Sequence, residues 1–318
     1  MSYILQIKYI LLKNIKFNFF TILILFSPLL YFFFILINGV GVRKEILLFL
    51  FYLWYLINIS SKSFNENSLW KFIIIFPVLL FIHEGIFFYL PYIFIPILLI
   101  KKQEEYKNFI PHFLVLIFVS IFSMIILYFF KGSEKNAFEI CQSLKNFAPI
   151  GCLERGPIFA LKNNLLKDQA NNSMLFFYLD ASLTSWLGYL TYVTYSFVPF
   201  ILLFKLAEIK NKQTYIFIYF LVIIFSLPLF HVAEDWSRWF SIHIHLTVFL
   251  LFFLQNKKMI RYKIIRNSKK INDFFMNKEV LLFLFLFVYC TFLHHEEYFS
   301  RDTKLEVTYY KILSDINK

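Results

Sequence analysis

The residues of this chain that could do chemistry are concentrated at 231–239, within an otherwise apolar sequence. This stretch holds five polar or ionisable side chains, namely His231, Glu234, Asp235, Ser237 and Arg238. A carboxylate or imidazole can accept a proton from a reacting hydroxyl, and a guanidinium can bind phosphate oxygens in a bidentate way. On a helix, Glu234 and Arg238 would also be spaced as a simple i,i+4 ion pair. We favour the functional interpretation and keep the ion pair as the alternative.

Two further clusters lie next to apolar runs. His83 and Glu84 separate two such runs, and Arg43, Lys44 and Glu45 precede a third. Ionisable residues at membrane depth are costly and usually face a polar cavity, so the first cluster is a candidate proton acceptor; a shallow loop among lipid headgroups is the alternative. The cations of the second cluster are either ligands for phosphate or an ordinary snorkelling group at a helix start.

The one sizeable polar insert, 131–173, holds Cys141, Cys152, Glu154 and Arg155. If this loop is exported, oxidising conditions permit a disulfide between Cys141 and Cys152. Glu154 and Arg155 either reach back over a membrane cavity or are solvated loop charges. The third cysteine, Cys290, lies in an apolar run and is interpreted as an apolar filler.

The sequence predicts no metal site and no cofactor. Adjacent residues such as those of 294–297, which read His-His-Glu-Glu, diverge on a helix or strand, and the same objection applies to His243 and His245. The phosphate loop and the dinucleotide-binding glycine motif are missing. So is the nucleophile elbow of serine hydrolases. These absences disfavour ATP-driven pumps, dinucleotide enzymes and ordinary serine hydrolases.

The elements that must position these residues are predicted to be membrane helices. The chain has 318 residues, of which 59% are hydrophobic and 16% charged, against roughly 45–50% and 25% in soluble domains. We therefore predict an all-α, polytopic integral membrane protein with one membrane domain over 1–318 and about nine transmembrane helices, several of them short or broken. The predicted spans are 18–37, 46–59, 71–83, 86–100, 111–130, 186–206, 214–230, 240–254 and 280–293.

The distribution of Lys and Arg predicts which side of the membrane each connection occupies. With a cytoplasmic N-terminus, the cytoplasmic segments and their flanks carry 19 Lys/Arg and six acids, and the outer segments carry 13 and 14. This makes 255–279 a basic cytoplasmic loop and places the insert and the tail 298–318 outside. Residues 71–100 form either one kinked span or two short helices meeting near the outer face, and the charge rule favours the second. The basic patches are anchors to anionic lipids, so nucleic acid is not needed to explain them.

Part of the chain resembles the EpsG-like branch of the Wzy-type polysaccharide polymerases. The similar text is Asn38-Gly-Val-Gly-Val-Arg43-Lys44, Ser61-Lys62-Ser63, Phe81-Ile82-His83-Glu84-Gly85 and Leu90-Pro91. A single Arg before an outer-facing helix near the C-terminus is also typical of that family, and Arg238 fits this place. Gly85 stands where the family usually has Ser.

The resemblance implies a metal-independent inverting glycosyltransferase of GT-C-like architecture, with many spans in a bacterial inner membrane. Such an enzyme moves a growing glycan from undecaprenyl diphosphate onto the next lipid-linked repeat unit at the outer face. Its partners would be that lipid-linked oligosaccharide, membrane lipids, and a chain-length regulator or flippase. Arg43 and Arg238 would hold the diphosphate, and Glu84, Asp235 or His83 would be the base. The other expected substrate-binding residues are Lys44, Glu154, Arg155, His231 and Glu234.

Three other functions stay open from the sequence. One is a membrane transferase that uses a polyprenyl-phosphate sugar donor and needs the same outer arginines and carboxylates. Another is a transporter or flippase of the polysaccharide pathway, with His83 and Glu84 coupling proton movement; it predicts ionisable residues near the bilayer midplane. The last is a structural membrane scaffold.

Overall fold

The computed structural model describes residues 19–30, 44–61, 63–101, 103–130, 132–144, 183–209, 212–232, 236–262, 266–291, 293–294 and 306–307. Within these ranges the chain forms eleven α-helices, three short 3-10 helices and four strands of two or three residues. The predicted helical class is confirmed.

The α-helices are α1 Phe19–Leu25, α2 Glu45–Ser60, α3 Trp70–Ile82, α4 Pro91–Ile100, α5 Gln103–Phe129, α6 Glu134–Leu144, α7 Leu183–Leu206, α8 Lys212–Val232, α9 Trp236–Asn256, α10 Arg266–Met276 and α11 Glu279–Thr291. The 3-10 helices are Pro28–Leu30, Glu66–Leu69 and Glu84–Tyr89. The strands are β1 Ala207–Ile209, β2 Ile260–Tyr262, β3 Leu293–His294 and β4 Glu306–Val307. β1 pairs antiparallel with β2, Glu208 opposite Arg261, and β3 pairs antiparallel with β4, Leu293 opposite Val307.

Helices lie at the positions of the predicted apolar spans, and α6 also lies within 131–173, which was predicted as a loop insert. Two further differences are found. α1 ends at Leu25, well inside the predicted span 18–37, and Pro28 begins a 3-10 turn there, because proline has no N–H to continue an α-helix. The second difference is in 255–279, which was predicted as a loop. It contains β2 and the amphipathic helix α10.

The helices around the centre share two common ends. At one end, which we call the ionic end, Glu45 contacts both His83 and Arg238. At the other, the lysine end, the Lys257 ammonium donates to the Ser60 carbonyl at 3.0 Å, and the Lys71 ammonium donates to the Asn58 side chain. α2 and α9 therefore run from the ionic end to the lysine end, and α3 runs back.

The chain reverses direction at His83. This residue is extended, with φ −157° and ψ 105°, and the 3-10 helix and α4 that follow run back towards the lysine end. The Tyr89 hydroxyl donates to the Trp239 carbonyl at 3.2 Å, and the Tyr55 hydroxyl donates to the Ile93 carbonyl further along. Residues 71–100 thus form two short segments that meet at the ionic end, as the charge distribution predicts.

Aromatic side chains fill the centre of the bundle, between α2, α3, α4, α8 and α9. Those that are essentially fully buried include Tyr52, Tyr55, Phe72, Phe76, Tyr92, Tyr215 and Phe253. Ring pairs cross the helix boundaries, as with Tyr55 and Phe72 at 4.8 Å between centroids, a geometry that adds to simple area burial. This core holds the three helix ends of the ionic end in place.

Two helices in the described ranges are long and apolar enough to cross a membrane. They are the segments Glu105–Phe129 of α5 and Arg238–Asn256 of α9. α5 presents large apolar side chains outward, among them Leu114, Phe118 and Phe122. Such continuous exposed apolar faces suit contact with lipid, because in water they drive association.

Candidate functional site

The carboxylate of Glu45 lies at the centre of the ionic end. Its side chain is 3% exposed, and its Oε1 lies 3.3 Å from His83 Nε2 and 3.3 Å from Arg238 Nε. A buried carboxylate is tolerated only when it is paired. One acid therefore connects two residues that lie 155 positions apart in the chain.

Three helix termini place these side chains. Glu45 is the first residue of α2, where a negative charge is favoured by the helix dipole. His83 directly follows the last residue of α3, and Arg238 lies in the first turn of α9. Each residue is thus carried by the rigid end of a helix rather than by a long loop.

Trp239 forms the floor beside the ion pairs. The Arg238 guanidinium carbon lies 4.3 Å from the centre of the Trp239 ring system, a cation–π contact, and the His83 ring lies 5.9 Å from it. Gly85 allows this packing, since a Cβ there would be 3.1 Å from His83 Cε1 and 3.4 Å from Trp239 Cη2. The Tyr89 hydroxyl fixes the backbone of Trp239.

Glu84 is the accessible acid of the group. Its side chain is 67% exposed, and its Oε2 lies 3.7 Å from His83 Nδ1. When the imidazole is protonated, the charges alternate in sign along the row Glu84, His83, Glu45 and Arg238. The group is then neutral as a whole, with its one open end at a carboxylate.

The protonation states of Glu45, His83 and Glu84 follow from these contacts, and all three residues lie at helix ends outside the two long apolar segments. Burial by itself raises the pKa of Glu45, but the His83 imidazole and the Arg238 guanidinium outweigh it and bring the pKa to about 2. Burial opposes the charged form of His83, yet the two neighbouring carboxylates raise its pKa above the ordinary value. The His83 imidazole lowers the pKa of Glu84 to about 2.

This arrangement can bind anions and accept a proton. Glu84 is ionised and reachable from the surface, and His83 and Glu45 behind it hold its orientation. Arg238 and the exposed Lys44, which acts electrostatically on Glu84, supply positive charge. The described part of the chain contains no cluster of three or more His, Cys, Asp or Glu side chains that could hold a metal ion.

The structure brings together three of the predicted site residues, His83, Glu84 and Arg238, and it places Lys44 close enough to act electrostatically on Glu84. Arg238 pairs with Glu45 across the bundle. Cys141 lies on α6 and is disulfide-bonded, while Cys290 carries a free thiol. His231 lies in the last turn of α8, and its side chain is outside the described part. The other predicted residues, Arg43, Cys152, Glu154, Arg155, Glu234 and Asp235, also lie outside the described residues.

Glu45 is the member of the site that the sequence did not single out. It was grouped with Arg43 and Lys44 as part of a helix-start cluster, where an acid is ordinary. The available signal was its position, since it is an acid that directly follows two cations at the start of an apolar run. Its central role depends on pairing with His83 and Arg238, which local spacing does not reveal.

A second polar group lies deeper in the bundle, below Tyr89. The Tyr92 hydroxyl is 3.0 Å from His243 Nδ1 and 3.2 Å from Thr247 Oγ1. His243 Nε2 is 2.9 Å from the Ser226 hydroxyl, and Thr247 donates to the Tyr219 hydroxyl at 3.0 Å. This hydroxyl–imidazole chain joins α4, α8 and α9, and its members are mutually hydrogen-bonded as buried polar groups require.

No protein-family profile matches this chain, and no curated protein or solved structure is significantly similar to it. The functional interpretation therefore depends on the site itself.

Proposed function

We propose that the protein is a multi-pass membrane glycosyltransferase that polymerises lipid-diphosphate-linked oligosaccharide repeat units, of the Wzy type. One observation carries the proposal. The helix ends that carry Glu45, His83 and Arg238, each within or next to one of the motifs, meet at one buried carboxylate at one end of the described helix bundle. The resemblance and the geometry are independent, because motif spacing says nothing about which helix ends meet.

The proposed reaction uses the open side of this group. A hydroxyl oxygen of the incoming lipid-linked unit attacks the anomeric carbon of the growing glycan and forms the new glycosidic bond. The bond between that carbon and the carrier diphosphate breaks, and its electron pair leaves with the diphosphate. The hydroxyl proton passes to Glu84, the accessible carboxylate. Because the His83 imidazole holds the pKa of Glu84 at about 2, this transfer comes late, when the new bond to the anomeric carbon has made the hydroxyl oxygen acidic. Arg238 and Lys44 stabilise the charge that develops on the leaving group, and Glu45 and His83 act as positioning residues.

The two ends of the bundle support the location of this reaction. The lysine end carries Lys71, Lys101 and Lys257, and the connector 255–279 beyond it has eight Lys/Arg against two acids. The positive-inside rule assigns such an end to the cytoplasm, which makes the ionic end the outer one. A lipid-linked glycan on the outer leaflet of a bacterial inner membrane would meet the site there.

The test replaces Arg238 by Ala and Glu84 by Gln, singly, in the native host, and separates the surface polysaccharide by gel electrophoresis. Matched controls are Lys135→Ala and Glu139→Gln, which change an exposed ion pair on α6. We expect long-chain material to disappear in both site variants and to persist in both controls. Full-length ladders from stable, correctly inserted site variants would refute the proposal. A different result would identify a polyprenyl-phosphate-sugar transferase. In that case the wild type itself would give no ladder, and the site variants would produce a glycan that lacks one sugar.

A transporter or flippase is the second candidate, and the hydroxyl–imidazole chain is the observation in its favour. His243 lies within the long apolar segment of α9, and ionisable residues in such positions often mark a transport path. Proteoliposomes containing the wild type and His243→Gln distinguish the two functions. Movement of a lipid-linked oligosaccharide without any covalent change, abolished by His243→Gln, would favour transport.

A further inference from the structure

The helix α10 has one face that packs on the protein and another that has no protein partner among the described residues. On the packed face, the Asn272 side chain accepts a hydrogen bond from the Phe19 backbone N–H at 2.9 Å, and the Phe275 ring stacks on the Phe19 ring at 4.4 Å. The helix is therefore fixed in place rather than loosely attached. Its other face is exposed among the described residues.

The outward face of α10 mixes cations with large apolar side chains. Lys269 and Lys270 are exposed, and Ile271 and Phe274 next to them are 46% and 48% exposed. Water alone does not favour an exposed Phe and Ile, and hydrocarbon alone does not favour two ammonium groups. The boundary between headgroups and acyl chains satisfies both, because the apolar side chains enter it and the lysines reach the phosphates.

A groove continues from this face between the end of α10 and the start of α11. It has a volume of about 750 Å³ and is lined by Met276, Lys278, Val280, Leu281 and Leu284, together with Asn277 and Glu279. The Lys278 ammonium lies 4.7 Å from the centre of the Phe274 ring, so the groove has a cation next to the exposed face of α10. Its wall continues along the exposed apolar side chains of α11, such as Phe283. A cation above an apolar wall is complementary to a phosphate group with an attached acyl chain.

We propose that the groove between α10 and α11 binds one anionic phospholipid. Lys278 and Lys270 contact the headgroup phosphate, and an acyl chain lies along Val280 and Leu284. The excess of cations over acids in 255–279 selects an anionic headgroup over a zwitterionic one. Glu279 at the groove adds local negative charge, but eight Lys/Arg against two acids leave the connector strongly positive.

The site depends on the membrane location of the protein and not on glycosyl transfer. α10 follows β2, which continues from the lysine end of α9, and the candidate active site lies at the opposite end. A failure of the lipid site would therefore leave the transferase proposal untouched, and the reverse also holds.

The test measures lipid retention on the full-length protein in mixed micelles by native mass spectrometry, with phosphatidylglycerol and phosphatidylcholine as separate probes. We expect phosphatidylglycerol to bind more tightly. Each lysine should contribute roughly fivefold, so the double variant Lys270→Gln/Lys278→Gln should lose roughly 25-fold in affinity. Lys135→Gln on α6, also an exposed lysine, is the matched control and should lose nothing. Circular dichroism checks that α-helical content is kept.

Three outcomes would overturn the inference. Equal affinity for the two lipids would remove the electrostatic selection, and an equal loss in Lys135→Gln would show a general charge effect. If millimolar inorganic phosphate displaced bound phosphatidylglycerol as effectively as added lipid does, the groove would be a site for free phosphate. A second variant, Val280→Ser with Leu284→Ser, should weaken the binding of both lipids in parallel. An unchanged affinity in this variant would be a fourth outcome against the inference, because it would exclude the acyl contact.

Discussion

Replacing Glu45 by Gln should destabilise the protein far more than its single negative charge suggests. The change keeps the size of the side chain, so no cavity forms, but it leaves His83 and Arg238 without their shared carboxylate. The side chains of these residues are only 11% and 14% exposed, so water can replace little of the interaction that is lost with the carboxylate. Removing one partner of a buried ion pair costs about 3–5 kcal/mol. Because both cations keep some exposure, we expect about 3 kcal/mol.

The assay is reversible unfolding of the purified protein in mixed micelles by added SDS, followed by circular dichroism. The matched control is Glu139→Gln, since Glu139 pairs with Lys135 at 3.8 Å on the exposed surface of α6; it should cost at most about 0.5 kcal/mol. Arg238→Met completes a double-mutant cycle with Glu45→Gln. Neighbours in one network couple by about 0.5–3 kcal/mol, so the double variant should lose clearly less than the sum of the single variants. A loss for Glu45→Gln no larger than the control, or strict additivity, would refute the buried ion-pair network.

Three further predictions concern the same end of the bundle and the hydroxyl–imidazole chain. Because Glu45 and Glu84 raise the pKa of His83, the contribution of His83 to stability is complete below its ordinary pKa and is lost as the pH rises through the raised pKa. The unfolding free energy should therefore fall as the pH rises above about 6.5. His83→Gln should abolish this decline, and a decline of equal size in the variant would contradict the assignment. Gly85→Ala should cost about 1–3 kcal/mol in the same unfolding assay, since the added Cβ meets the rings of His83 and Trp239; a neutral substitution would show that this packing is loose. Tyr92→Phe should cost about 1–2 kcal/mol by leaving the His243 nitrogen without its hydroxyl partner, and a stabilised variant would exclude that bond.

The positions of the helices followed from the sequence because apolar runs have few other uses. A run such as 111–130 can bury its backbone polar groups only by pairing them internally, which a helix does within one segment. The reversal at His83 was also predictable, since a single span across 71–100 would have moved the eight cations of 255–279 to the other side. Charge therefore decided a question that hydropathy left open.

The helix α10 was missed because it was interpreted through its net charge alone. Its lysines and arginine suggested a basic loop that anchors to anionic lipids, yet Asn272 and Phe275 are spaced three apart and both contact Phe19. Three turns of an amphipathic helix carry too few apolar residues to stand out in a chain that is 59% hydrophobic. The helix is visible in the sequence only once its partner, Phe19, is known.

The central position of Glu45 constrains how the proposed substrate can bind. Arg238 is already paired with this carboxylate and packed on Trp239, so a diphosphate must share the guanidinium with Glu45 or displace it. An anion with a single charge competes poorly for Arg238 with the buried Glu45 carboxylate, which is already 3.3 Å from the Arg238 Nε atom. A diphosphate competes better, because it carries several negative charges and can also bind Lys44. If Arg238 turns towards the diphosphate, Glu45 keeps only His83 as a partner and binds that imidazolium more strongly. The ion-pair chain would then select a multiply charged leaving group over a simple anion, a preference that neither Arg238 nor Glu84 could provide alone.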